Sequence, residues 1–397
     1  MKSTRSAGAA VRPRLFTAGY LLLMLISLAT AMGYSMIATL ITSYAVGFGA
    51  SLSLAGTVGG IFSLAALLTR PVSGLLCDRC SKRNICIAAT AAICLCFAGY
   101  ALTPNIGCML LFRVLHGAAF GVCGTANLAL VSEIIPKERM GEGLGYFGLG
   151  QILSQVCGPV IGNALKDRIG FHALFFLITG LTALAILLLL LYPDAAPQRD
   201  ASHAHSLAMK DLIAGECLVY ALIAGMFSLT NGVVNSFLVL VGQTRGIAGV
   251  SLFFTVNAAL LFCIRLFMGR VADRSSLSVI VTASLVTGAL SMFVLAKAWS
   301  LPLVLLAAAL KAFGQGAGQI SLQSACIKKV DAARIGVATS TYYIGADIGN
   351  TVGPTLGGWI SDSQGYGVMF WIVGGLLLAA SVFFLAYERR SAAASRA

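Results

Sequence analysis

Arg70-Pro-Val-Ser-Gly-Leu-Leu-Cys-Asp-Arg-Cys-Ser-Lys-Arg83 joins two long apolar runs, Leu52 to Cys77 and Ile85 to Leu102. Gly74 is small enough to let a second helix come close. Asp78 is followed at once by Arg79, and then by Lys82 and Arg83. A basic turn this short between membrane-length runs belongs at the cytoplasmic surface. The stretch also recurs. Arg265, Gly269, Asp273 and Arg274 each stand 195 positions after Arg70, Gly74, Asp78 and Arg79.

Working outward, the chain reads as membrane throughout. Of its 397 residues 58% are hydrophobic and only 10% charged, with a mean hydropathy of +0.90. Runs of about 20 apolar residues are spanning helices. Lipid admits only helices and closed barrels, and these runs lack the alternation of barrel strands. The 44 glycines suit close helix packing in a bilayer. The net charge of +13 is scattered over many loops, which points to membrane orientation rather than nucleic acid. The 11 cysteines lie mostly inside apolar runs and read as reduced thiols. Cys77 and Cys80 form one CxxC, with no second pair to complete a zinc site. Leu15 to Thr42 is too long for the apolar core of a cleavable signal, so this run is expected to remain as a span.

Twelve helices are predicted, at about 15–42, 51–77, 84–103, 107–132, 141–165, 171–192, 212–242, 250–272, 277–298, 302–327, 335–361 and 366–387. The expected organisation is an all-α membrane protein of two six-helix bundles, 15–192 and 212–387. A cytoplasmic tail (1–14), a cytoplasmic linker (193–211) and a second tail (388–397) complete it. Of the 27 Lys and Arg residues, Lys166, Arg168, Arg245 and Lys297 fall in loops on one side. Arg70, Arg113, Arg265 and Lys311 fall within helices, and the rest lie on the other side. That places both termini in the cytoplasm. The 195-residue repeat extends to Gly150, Gly158, Pro159 and Gly162, which map onto Gly345, Gly353, Pro354 and Gly357. Gly170 maps onto Gly365 and His116 onto Lys311. One offset held this far means a duplicated six-helix unit.

The Gly-x-x-x-Asp-Arg turn with basic residues after it resembles the loop between helices 2 and 3 of the major facilitator superfamily of secondary transporters. The second copy resembles that family's weaker counterpart between helices 8 and 9. Arg113-Val-Leu-His-Gly-Ala-Ala-Phe-Gly121 resembles the family's helix-4 segment, with His116 where the pattern usually has Gln. Arg113 then either couples protons or contacts substrate, or serves structure by bonding helix-end carbonyls. Gly158-Pro-x-x-Gly162 resembles the helix-5 signature of the drug:proton antiporters, though Asn163 replaces a frequent second Gly. Pro159 removes a backbone bond. The resulting smooth, kinked face is expected to pack across the two halves.

The resemblance implies an acid, a Pro and an Arg at Glu133, Pro136 and Arg139. Asp78, Arg79, Arg83, Glu133 and Arg139 are expected to form an ion-pair cluster that closes the cytoplasmic side. Asp78 is expected near the N-terminus of helix 11, around Arg334 to Gly336, where the helix dipole favours an anion. The second loop, lacking the later basic pair, is expected to matter less. Asp347 is the one acid deep in a span. A carboxylate there is costly unless protonated or paired, which suits a reversible proton carrier; a fixed structural pair is the alternative. Lys311 is the expected partner. Helices 1, 4, 7 and 10 are expected to wall the cavity with Met32, Tyr34, Met36, Phe120, Met226, Phe227, Asn231, Asn235, Phe313, Gln315 and Gln319.

These features imply a monomeric proton-coupled exporter of small amphipathic organic molecules in the cell membrane. The partners are a small-molecule substrate, protons and the bilayer. Highly charged substrates fit less well, while organic anions stay open. A proton-coupled importer, or a receptor that kept the fold, are the alternatives. No Walker loop, metal-ligand cluster or nucleophile elbow is present. Neither ATP-driven transport nor enzymatic catalysis is expected, and no cofactor.

Overall fold

The computed structural model describes residues 14–38, 40–50, 52–193 and 212–394. Most of the first tail and of the central linker therefore lies outside the described residues. The helices are α1 (Ala18–Ala38), α2 (Ile41–Gly47), α3 (Leu52–Arg79), α4 (Lys82–Leu102), α5 (Ile106–Ile134) and α6 (Met140–Leu191) in the first half. The second half holds α7 (Leu218–Thr244), α8 (Leu252–Arg274), α9 (Leu277–Ala296), α10 (Leu301–Lys328) and α11 (Ile335–Ala394). Ten helical stretches are long and apolar enough to cross a membrane. Two of these are double. Gly170 (φ 78°) divides α6 and Gly365 (φ 84°) divides α11, and a side chain would resist that conformation. Counted by arms, the described residues fit twelve spans.

Local chemistry sets several ends. Ser81 accepts a hydrogen bond from the Asn84 amide at 3.3 Å and starts α4. Asn105 accepts from the Cys108 amide at 3.0 Å and starts α5. Both leave a free N-terminal donor satisfied by a side chain. The first predicted span is described as α1 up to Ala38 and α2 from Ile41, with residue 39 outside the described residues. The last helix runs past its predicted end at residue 387 to Ala394.

Each half has its own apolar core. Tyr20, Phe97, Tyr100 and Phe175 anchor the first; Phe227, Phe253, Phe370 and Phe384 anchor the second. The halves meet mainly along two seams, α3 with the first arm of α11, and the first arm of α6 with α8. These seams are related by the 195-residue shift.

Candidate functional site between the halves

At one end of the bundle, each half closes on the other with the same device. Asp78, at the end of α3, accepts hydrogen bonds from the amides of Gly336 (2.6 Å) and Val337 (2.9 Å). Asp273, at the end of α8, accepts from Gly141 (2.9 Å) and Glu142 (2.9 Å). Those amides begin the first arms of α11 and α6, where backbone donors have no partner within the helix and the dipole favours an anion. Glycine makes the approach feasible. A Cβ on Gly74 would lie 3.0 Å from the Gly336 carbonyl oxygen, and one on Gly269 would lie 2.7 Å from that of Gly141.

Among the described residues, Asp78, Arg83, Glu133 and Arg139 each meet a partner outside the expected five-member cluster. Asp78 is occupied by the α11 amides instead. Lys82, and not an Arg, pairs with Glu133 at 2.7 Å. Arg83 donates to the Leu189 (3.1 Å) and Leu190 (2.7 Å) carbonyls, where the end of α6 offers free acceptors. Arg139 pairs with Glu142 at 2.8 Å, and Glu142 also meets Arg270 of the other half at 2.6 Å. Arg79 and Arg274 are exposed. The second loop has a basic partner of its own, since Lys328 reaches Asp273 at 2.8 Å. The Asp78 closure borders a cavity of about 320 Å³ lined by Lys82, Arg83, Glu133, Lys137 and Lys328 among others.

Deeper in the seam lies Asp347, and its partner differs from expectation. Arg70 of α3 donates to Asp347 at 2.9 Å. Arg70 also donates to the Gly121 carbonyl at 3.2 Å and lies 4.3 Å from the centre of the Tyr343 ring. Its own carbonyl accepts from Ser340. The pair therefore ties α3 of one half to α11 of the other, with side chains 5% and 25% exposed. Lys311 is instead held within its own half by the amide oxygens of Asn231 and Gln315, the latter at 2.9 Å. Asp347 and Arg70 share a seam, whereas Lys311 faces α7; that placement decides the pairing.

The other predicted residues separate into three groups. His116 is fully buried in the first half, with Nδ1 3.2 Å from the Tyr100 hydroxyl. Arg113 is buried beside it, donating to the Val58 carbonyl at 2.8 Å with its guanidinium 4.5 Å from the Phe62 ring centre. Tyr34 and Phe120 stack with Phe62 into an aromatic wall, ring centres 4.8 to 5.3 Å apart. In the second half, Gln315 and Gln319 continue from Lys311 along α10. Met36 and Phe227 are buried in the cores of their own halves. Asn235 is exposed at the far side of α7.

The Gly-Pro face also has a different neighbour from the one expected. Gly158 and Gly162 press on Ser35 and Met36 of α1, and Gly150 on Leu28, all within one half. The glycines that cross the seam are Gly141, Gly145 and Gly148, which lie against α8. Helical rotation separates the two faces, since Gly158 and Gly162 point away from α8. A second cavity, about 260 Å³, runs between α7 and α11 and has almost wholly apolar walls. Among the described residues no group of three or more His, Cys, Asp or Glu gathers to hold a metal ion.

Sequence reasoning missed Arg70 as the partner of Asp347, and missed Tyr343. A signal was available. Once Asp78 meets Gly336, two antiparallel helices carry Arg70 and Asp347 back from that point to similar depths.

A duplicated bundle of apolar helices, closed at one end by symmetric carboxylate–helix contacts, has the two-halves arrangement of secondary transporters. The chain belongs to the Major Facilitator Superfamily, whose family model matches residues 23–342 and 220–397. It is a multi-pass membrane protein of a transporter family, not an enzyme. Among curated relatives it is similar to the multi-drug resistance efflux pump PmrA of Streptococcus pneumoniae, 26% identical over 347 residues, covering 83% of this chain and 84% of that one. Two solved structures share the fold. The human organic anion transporter MFSD10 has a TM-score of 0.80 at 15% identity, over 93% of this chain and 100% of that one. FucP of E. coli in its outward conformation has a TM-score of 0.78 at 16% identity, over 94% and 99%.

Proposed function

We propose that this protein exports small amphipathic organic molecules across the cell membrane in exchange for protons. The observation that carries the reading is the Arg70–Asp347 pair, the one intramembrane acid tied across the halves. The positive-inside bias supports assigning the closed end, with Asp78 and Asp273, to the cytoplasm. The state described is then outward-facing. Likeness to an efflux pump over most of the chain supports the outward direction of substrate flux.

The cycle follows from one charge. Ionised Asp347 holds Arg70 and helps keep the cytoplasmic seam shut. A proton arriving from outside neutralises Asp347, whose side chain is 25% exposed, and removes the attraction. The seam opens, the proton leaves to the cytoplasm, and substrate enters from that side. Re-ionised Asp347 then recaptures Arg70 and the halves rock back. A ligand and a proton thus bias one two-state element in opposite senses. The test is flux in proteoliposomes of defined orientation under an imposed pH gradient, across a panel of amphipathic compounds. Proton entry through the outer face should drive substrate the opposite way. Substrate moving with the protons would replace export by import.

A further inference from the structure

The two halves differ in chemistry along their fourth and tenth helices, α5 and α10. Shifting by 195 residues shows how. On α10, Lys311, Gln315, Gln319 and Gln323 recur every four residues, one above the next on a helix. Their counterparts on α5 are His116, Phe120, Gly124 and Leu128. The first half therefore offers the aromatic wall of Tyr34, Phe62 and Phe120. The second offers a ladder of amides headed by a cation. Gln315 is 2.9 Å from Lys311, and 3.5 Å separates it from Gln319.

The seams are unequal in the same way. Arg70 lies on Tyr343 and pairs with Asp347. Its counterpart Arg265 lies directly over Gly148, the counterpart of Tyr343. Ile152, buried against Leu261 and Ala312, stands where the acid would be. The Arg265 Nε is buried with no hydrogen-bond partner among the described residues. Lys311 is 5% exposed, and among the described residues its hydrogen bonds go to neutral amides. The single deep carboxylate is already taken by Arg70. Among the described residues two cations of the second half thus have no counter-charge, a cost that a bound anion offsets.

We infer that the ligand is an amphipathic organic anion. Its apolar body rests on the Tyr34–Phe62–Phe120 wall, and its carboxylate head is taken by the Lys311 and Arg265 side of the second half. Gln315 and Gln319 offer hydrogen bonds along the way. Charge-assisted bonds to a carboxylate exceed those to a neutral amide, so the head group dominates selection. This inference rests on the transport reading above but adds the sign of the substrate's charge.

The test is binding to the purified full-length protein in detergent, without any gradient. Aryl and alkyl carboxylates are each compared with their own carboxamide and their own primary amine, by ligand-induced thermal shift and titration. Carboxylates should bind at least about tenfold tighter than the matched amides, with amines weakest. In Lys311→Gln or Arg265→Gln that preference should collapse while amide binding persists, which also shows that the variant is folded. Ile152→Asp, which gives Arg265 an internal carboxylate, should weaken the preference too and provides a second route should either first variant misfold. Preference for amides or amines, no carboxylate binder in the panel, or an undiminished preference in all three variants would overturn the inference. Lack of pH-driven flux with the carboxylate preference intact would instead count against proton exchange alone.

Discussion

Replacing Asp347 by Asn removes the charge across the seam and little else. Asn can still accept a hydrogen bond from Arg70, so what is lost is the ionic term. For unit charges about 4 Å apart at an effective dielectric near 20, that term is about 4 kcal/mol. A quarter of the Asp347 side chain remains exposed, and water competition reduces the net effect to about 2 kcal/mol. The equilibrium between closed and open forms of the seam then shifts about 30-fold toward open. Cys77 reports that shift directly. It is 0% exposed and packed beneath the start of α11, where a Cβ on Gly336 would lie 2.7 Å from its own Cβ. Maleimide labelling of Cys77, followed by peptide mass spectrometry, should accelerate about 30-fold in Asp347→Asn if opening precedes reaction. Exposed Cys80, three residues on, is the internal control and should react equally in both proteins. In proteoliposomes the variant should retain counterflow but lose gradient-driven accumulation. An unchanged Cys77 rate would refute the idea that this pair holds the seam shut. Normal gradient-driven accumulation would remove Asp347 from proton coupling.

Asp78→Asn and Asp273→Asn should each slow transport several-fold with ligand binding intact, and to a similar degree, because each carboxylate accepts two backbone amides of the other half; turnover against binding in purified protein checks both. Gly269→Val should favour the open form and raise Cys77 labelling, since its new Cβ would meet the Gly141 carbonyl oxygen at 2.7 Å. Gly158→Val should instead lower the melting temperature without changing the Cys77 to Cys80 labelling ratio, because Gly158 packs on α1 inside one half. Arg113→Gln should likewise act on stability, by about 1–3 kcal/mol for a lost buried bond to the Val58 carbonyl, with the pH dependence of transport unmoved.

The membrane-length helices and the duplication were legible in the residues alone. Apolar run length is set by bilayer thickness, and a repeat at one offset is a property of the chain rather than of its folding. The position of Asp78 at the α11 N-terminus followed from family resemblance together with the dipole of a helix start. The pairing of Asp347 did not follow, although its ingredients were present. Arg70 lies eight residues before Asp78 and Asp347 eleven after Gly336. At 1.5 Å per residue these are about 12 and 16 Å from the closure, a mismatch an arginine side chain spans. Lys311 and Arg70 were equally charged and both intramembrane, so composition could not choose between them. Only the tertiary seam did, by setting α3 against α11 and turning Lys311 toward α7. The same rotation put the Gly158 face on α1 rather than across the halves. Charge and hydropathy in a sequence say what must be buried or paired. Which partner is met depends on helix rotation about its axis, and packing against every neighbour at once decides that.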